Sequence, residues 1–294
     1  MKTSIYLALG AALTVSLNAV ALDADRIGEI VGVEASTTSD DVIRVTWGRT
    51  DVEVQVDGVP LKPFAGLTSW AAFTEMEHGA MVMGDTVVFQ DEANPAIDAA
   101  FAHGIEITAL HNHFFFDDPP VYFMHIGGTG NPEDLARGVR AMWDAVKAVR
   151  AKSPAPAKGF PGPAPMVSSL SSEPLARIFG SEPALKDGMV KFSFGHQATM
   201  HGVRFSGAMG LSTWAAFTGN DESAVVGGDF AMTAQEVQPV LRALRKANIN
   251  IVTLHNHMIG ETPAYFFVHF WGKGKPSDLA LGLKGALDAQ EASK

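Results

Sequence analysis

Apolar and polar positions follow one pattern, laid down twice along the chain. Asp25-Arg-Ile-Gly-Glu-Ile-Val31 has the spacing of a short amphipathic helix stopped by Gly32, and Leu175-Ala-Arg-Ile-Phe179 before Gly180 matches it. Each is followed by an alternating segment, Val42-Ile-Arg-Val-Thr-Trp47 and Met189-Val-Lys-Phe-Ser-Phe194. A period of two predicts a half-buried strand. Shorter strands are expected at 52–56, before Asp57-Gly58, and at 197–200, before His201-Gly202. Two apolar strands follow at 69–73 and 80–83, joined by the acidic turn Glu75-Met-Glu-His78; Asn220-Asp-Glu222 is its counterpart. Asn94-Pro95 and Gln238-Pro239 open helices, with Gly104 as the stop of the first and Val240–Lys246 the clearest stretch of the second. A strand, a turn and a return strand come next, at 121–126 and 264–270. A last helix starts after Asn131 and Lys275, with Pro132 and Pro276 in the first turn and Asp134 and Asp278 near its positive end. Leu135, Val139, Met142 and Val146 give its first copy a buried stripe.

The residues themselves also repeat. Thr68-Ser-Trp-Ala-Ala-Phe-Thr74 returns as Ser212-Thr-Trp-Ala-Ala-Phe-Thr218, Gly84-Asp85 as Gly228-Asp229, and Gly-x-Gly-x-Pro at 128–132 as the copy at 272–276, all at an offset of 144. Such self-similarity marks a tandem duplication. Each half reads as strands, helix, two strands, helix. The fold class expected is therefore α+β: a tandem duplication of a mainly antiparallel sheet with helices packed on one face. The expected units are residues 22–152 and 175–294. A segment rich in proline, glycine and serine at 153–174 reads as an extended, exposed linker.

Residues 1–21 read as a cleaved signal peptide, with Lys2 in the n-region, an apolar core from Ile5 to Val15, and Ala19-Val-Ala21 as the small-x-small cleavage pattern. No later stretch is long enough to span a bilayer. A periplasmic or secreted product is expected. Cysteine is absent. That excludes a lipoprotein anchor, disulfides and thiolate metal ligands. The net charge of −10, which becomes −11 without Lys2, and the lack of a long basic run argue against nucleic acid as a partner. Small ligands or metal ions suit the chain better.

The candidate chemistry lies in Thr108-Ala-Leu-His-Asn-His113, repeated as Thr253-Leu-His-Asn-His257, with a further histidine twelve residues on in each copy, His125 and His269. Strand side chains alternate, so His111 and His113 share a face. If the chain returns with His111 opposite His125, all three histidines converge, and the same holds for His255, His257 and His269. Three imidazoles with an open fourth position suit zinc, copper, nickel or iron. A purely structural histidine cluster and an acid/base site without metal are the competing readings.

A fourth group is sought in the turn. His255-x-His257-x-x-x-Glu261 resembles the first metal motif of cupins, and Asp117 is the matching acid in the first half. The next histidine comes too soon for a cupin, and helices interrupt the strands. The Asn between histidines lacks the surrounding pattern of an HNH nuclease. Glu75, Glu77, Asp221 and Glu222 read as solvated turn residues; Asp85 and Asp229 keep their place in both copies but follow glycine and read as turn residues too. Asp117, Glu261 and Glu222 are the acids to examine as a catalytic base. Gly-x-Gly reads as a tight turn, and the methionines near these strands as core.

The set Gly66-Leu-Thr-Ser-Trp-Ala-Ala-Phe73, Met83-Gly-Asp85, Thr108-Ala-Leu-His-Asn-His-Phe-Phe115 and Phe123-Met-His-Ile-Gly-Gly128 resembles the LppY/LpqO-like family of bacterial envelope proteins, over residues 22–290. The resemblance implies an envelope location and a duplicated domain, and supplies no reaction. Three functions stand open at this point: a periplasmic metal- or small-ligand-binding protein, a metal-dependent enzyme (hydrolase or oxygen-using), and a structural envelope protein with packed histidines.

Overall fold

The computed structural model describes residues 22–294. The leader assigned to 1–21 lies outside the described residues. The first half comprises helix α1 (Ala24–Val31), strands β1 (Ala35–Thr37), β2 (Ile43–Gly48), β3 (Val54–Val56), β4 (Val59–Leu61), β5 (Thr68–Glu75) and β6 (Ala80–Phe89), then α2 (Ala93–Ala102). It ends with β7 (Glu106–Asn112), β8 (Asp117–Asp118), β9 (Val121–Gly130) and α3 (Pro132–Lys152). The second half begins with α4 (Ser172–Phe179), β10 (Ala184–Lys186), β11 (Met189–Gly195), β12 (Gln197–Met200), β13 (Val203–Ser206), β14 (Ser212–Gly219) and β15 (Ala224–Met232). It closes with α5 (Ala234–Lys246), β16 (Asn250–His255), β17 (Phe266–Gly274) and α6 (Pro276–Ala292).

The helix boundaries follow from local chemistry. α1 starts at Asp23, whose carboxylate accepts from the Arg26 N–H, and stops where Gly32 takes φ 81°. Asn131 caps α3 by accepting from the Glu133 and Asp134 amides, and Pro132 sits where an N–H has no helical partner to lose. β6 is longer than expected. It runs on through Asp85 to Phe89, because Val82, Val87, Val88 and Phe89 are all fully buried and both faces of the strand are covered.

Twelve strands form one antiparallel sheet in the order β1-β2-β5-β6-β9-β7-β16-β17-β15-β14-β11-β10. The two halves therefore meet at β7 and β16, edge to edge, with Leu110 opposite Leu254. A single core packs the helices of both halves against one face of this sheet; it contains Phe73, Trp143, Val146, Phe192, Phe217 and Leu244. The other face carries two small caps. One is the β4-β3-β8 sheet over Val87, Phe89 and Phe123, and the other is the β12-β13 hairpin over Leu211, Ala231 and Phe267.

The joint between halves has only that one backbone pair, and side-chain amides complete it. Asn94 at the start of α2 donates to the Ile251 carbonyl at 3.1 Å and accepts from the Ile251 N–H at 2.8 Å. Gln238, its counterpart in α5, does the same to Ile107, donating at 2.8 Å and accepting at 3.3 Å. Each amide satisfies backbone groups next to a β-bulge, at 107/109 and at 251/253, where the ladder is interrupted.

The linker has no helix or strand until α4, which starts at Ser172 and so claims the last residues of the segment read as linker. Asp221 fixes that start by accepting from the Ser171 N–H and hydroxyl. The rest is tied down along its length. Ala157 donates to Asp91, Lys273 donates to the Phe160 and Gly162 carbonyls, and the Ser168 hydroxyl donates to the Gly188 carbonyl.

Replacing Asn94 with Ala orphans two buried backbone groups at the joint. The expected loss is about 2–4 kcal/mol in urea unfolding with an unchanged m-value, and less for Gln238→Ala at its partly buried site. A loss under about 0.5 kcal/mol for Asn94→Ala means that the amides do not seal the joint.

Candidate metal centres

Each half brings its three histidines together on the capped face of the sheet. The register differs from the one expected. His125 lies opposite Ala109 and His111 opposite Phe123; in the second half His269 lies opposite Thr253 and His255 opposite Phe267. A bulge beside residues 108 and 252 moves each ladder by one residue, and past it the histidines pair two residues away from the expected partner. A shift of two preserves parity, so the histidines still share a face. His111 stacks with His113 and His125 at ring-centroid distances of 5.2 and 5.1 Å, and His255 lies 5.1 and 5.0 Å from His257 and His269.

His113 and His257 sit just past the ends of β7 and β16 and are held by stacking. His113 lies flat on Phe123 (3.3 Å, 2° between planes), and His257 on Phe267 (3.4 Å, 9°). One ring nitrogen from each member of a triad lies within 4.8 Å of the others. Nitrogens around a tetrahedral zinc are about 3.3–3.4 Å apart, so the rings need to draw in by roughly 1 Å or so. Both triads open on the same face. With Leu110 paired to Leu254, strand spacing puts the Cα atoms of His111 and His255 roughly 8–9 Å apart.

Ring protonation is partly fixed by neighbours. His269 Nδ1 lies 3.2 Å from the Gly228 carbonyl and His111 Nδ1 3.3 Å from the Asn112 carbonyl. A carbonyl only accepts, so these Nδ1 atoms carry the proton and Nε2 keeps the lone pair. Burial, with the neighbouring histidines second, lowers the pKa of His113 and His257 and takes His255 down to about 4. Neutral imidazoles are the form a metal binds.

The carboxylates at these centres are Asp85 and Asp229, not turn residues but mid-strand ones. Asp85 is the cross-strand partner of His125, and Asp229 of His269. Asp229 Oδ2 lies 3.4 Å from His257 Nε2, and its Oδ1 4.0 Å from His269 Nδ1; Asp85 Oδ2 lies 4.0 Å from His125 Nε2. Both side chains are buried, and Oδ1 of each has no hydrogen-bond partner. Burial raises the pKa of Asp85 and lifts that of Asp229 to about 6. The preceding glycines are required by the crowding. A Cβ at Gly84 meets the Trp70 carbonyl at 2.6 Å, and one at Gly228 the Trp214 carbonyl at 2.1 Å. The Gly-Asp repeat at a fixed offset was the one signal in the chain that pointed to these acids.

The other acids are engaged elsewhere. Asp117 accepts from the Val121 N–H at 2.7 Å and Glu261 from the Tyr265 N–H at 2.9 Å, so each caps the turn between its histidine strand and the return strand. Glu222 lies in the β14–β15 turn. Five residues of strand, roughly 17 Å, separate that turn from Asp229, so Glu222 is not brought to the histidines.

An antiparallel sheet backed by helices, duplicated around a two-fold joint, with a His₃ cluster and a buried carboxylate in each half: that is the class of protein the fold and site define. The chain belongs to the family described as Domain of Unknown Function (DUF1259), whose model matches residues 25–145 and 173–289. No curated protein matches it. Among solved structures, the trimeric bacterial microcompartment shell protein PduB aligns at 11% identity over 87% of this chain and 89% of that one, with a TM-score of 0.23. EtuB from Clostridium kluyveri aligns at 11% identity over 87% and 90%, with a TM-score of 0.19. The double ringed trimeric shell protein MSM0271 from the RMM microcompartment aligns at 12% identity over 85% and 94%, with a TM-score of 0.21. Superpositions this loose define neither the fold nor the function of this chain.

The raised pKa of Asp229 carries a stability consequence in metal-free protein. Its folded value of about 6 exceeds the unfolded one, so the folded state binds the extra proton, and stability drains away as pH rises from about 4 to 6. His255, held near 4, acts with the opposite sign: its contribution is present above about 6.5 and is lost as pH falls towards 4. Asp229→Asn removes the first effect. With chelator present, the variant is expected to be about 2–3 kcal/mol more stable than the parent at pH 7 and no more stable at pH 4, by chemical unfolding. Equal stability at both pH values counts against a buried, raised Asp229.

Proposed function

We propose that the protein binds one transition-metal ion at each triad, through His111, His113 and His125 and through His255, His257 and His269, in the periplasm or outside the cell. The observation that carries this reading is the pairing, in both halves, of three solvent-reachable histidines with a buried carboxylate that lacks a donor. A packed structural histidine is enclosed and hydrogen-bonded, whereas the side chains of His125, His257 and His269 keep 35%, 31% and 43% of their exposure. A cation between imidazole lone pairs and Asp85 or Asp229 supplies the charge that the carboxylate lacks. Neutral nitrogen donors with a nearby oxygen suit zinc, copper, nickel or iron. The finer assignment, to LppY/LpqO-like envelope proteins exported by the leader at 1–21, rests on the motif resemblance and on the leader's charge and apolar pattern. Among the described residues no helix is long and apolar enough to cross a membrane.

The enzyme reading has one specific observation in its favour. Asp229 lies within reach of two ring nitrogens, so it is the acid to test as a base if a bound metal activates water.

The deciding measurement is elemental mass spectrometry of untagged protein purified without chelator. About two equivalents of transition metal per chain are expected, about one in His111→Ala or in His255→Ala, and none in the double variant. Affinity for added zinc is expected to fall as pH is lowered towards 4, where protons compete for the imidazoles of the second triad. Metal-free protein that also fails to take up zinc, copper, nickel or iron overturns the reading.

A further inference from the structure

The joint between the halves holds a second kind of site, on the helix side of the sheet and away from the histidines. A cavity of about 300 Å³ is lined there by Pro95, Leu110, Tyr122, Ile251 and Val252, with Phe160 of the linker as its outer wall. Its polar side chains are Gln90, Asp91, Asn94 and Asn250, with the hydroxyl of Tyr122. The duplication supplies an internal control. The positions 144 residues away, among them Pro239, Leu254, Phe266, Ile107 and Thr108, line a second hollow around the same two-fold joint.

Two differences separate the copies. The linker passes over the first and is absent from the second, where no linker residue lines the wall. Asp91 in the first is replaced by Gln235 in the second. Asp91 also belongs to a partly buried ionic cluster. Arg49 bridges Asp51 and Glu92 at 2.8 Å each, while Arg150 reaches Glu92 at 2.6 Å and pairs with Asp91. Three carboxylates thus face two guanidiniums, an excess of one negative charge. Asp91 Oδ2 is used by Arg150 and by the Ala157 N–H, whereas Asp91 Oδ1 and, in the same cluster, Arg150 Nε and Nη1 are buried with no hydrogen-bond partner.

A mostly apolar cavity edged by a carboxylate, whose ionic cluster carries one more negative than positive charge, selects for one kind of ligand. We propose that this cavity binds a small primary amine with an apolar or aromatic body, its ammonium group donating to Asp91 and its body held among Leu110, Tyr122, Val252 and Phe160. The linker is then the wall of a ligand site as well as a tether, and the chain binds one such molecule, not two.

The test is calorimetric titration of the full chain, kept metal-free with chelator at pH 7, with 2-phenylethylamine and with its neutral counterpart 2-phenylethanol. Chelation separates this outcome from the metal reading, which stands or falls independently. One equivalent of amine is expected, bound about tenfold or more tighter than the alcohol. Asp91→Asn is expected to erase that preference, and Val252→Phe, which fills the cavity, to abolish binding of both. Variants are checked by circular dichroism and thermal unfolding. Should Asp91→Asn fail to fold through loss of its Arg150 contact, the amine–alcohol comparison and Val252→Phe decide. No amine binding at millimolar concentration, two equivalents per chain, equal affinity for the alcohol, or binding unaffected by Val252→Phe each overturns the proposal.

Discussion

Pairing of two sheet edges at a two-fold joint is the constraint on which the rest of the molecule depends. Each half has an edge strand, β7 or β16, whose unpaired groups would otherwise invite association with other chains. Setting the two edges antiparallel, with Leu110 opposite Leu254, removes both liabilities in one step. It also merges two helix layers into one core and puts both histidine clusters on the same side of the sheet. The bulges beside the histidines prevent the ladder from continuing, and Asn94 and Gln238 supply the hydrogen bonds that the strands cannot. An isologous contact of this kind is the geometry of a homodimer, here made within one chain.

Within that frame the halves have diverged so that each prefers the other. Asp98 and Phe101 in α2 occupy the positions of Arg242 and Arg245 in α5. Arg245 forms a two-pronged pair with Asp98, at 2.8 Å for both contacts, and Arg242 lies 4.4 Å over the Phe101 ring and donates to the Phe101 carbonyl. Two copies of the second half would set arginines against arginines across the same joint. Complementary charge therefore fixes which halves pair, although exposed ion pairs add little to stability.

The histidine clusters run against stability in a way that suits the proposed metal binding. Asp85 and Asp229 are buried beside histidines with one oxygen unsatisfied, a placement that costs free energy in the metal-free chain. Glycine is forced before each, since Trp70 and Trp214 carbonyls crowd the strand there. Phe123 and Phe267 hold one imidazole of each triad flat, which limits the ring motion that a ligand set has to give up on binding. The same design in both halves explains why a duplication can carry two centres on one scaffold.

Much of this was legible in the chain. Alternation at Val42–Trp47 and the stripe Leu135–Val146 mark strand and helix because each depends on local periodicity. The offset of 144 reveals the repeat, and strand parity alone places the three histidines of each half on one face, since parity survives a two-residue slip. What the sequence could not decide depends on contacts between distant segments. Asp85 and Asp229 look like turn residues until β6 and β15 are seen to run through them, buried from both sides. Asp117 and Glu261 look like ligands until their carboxylates are seen to cap turns. The joining of the halves into one sheet, the bulges in the histidine ladders and the cavity beneath the linker arise from packing between separate elements, and no local pattern encodes that.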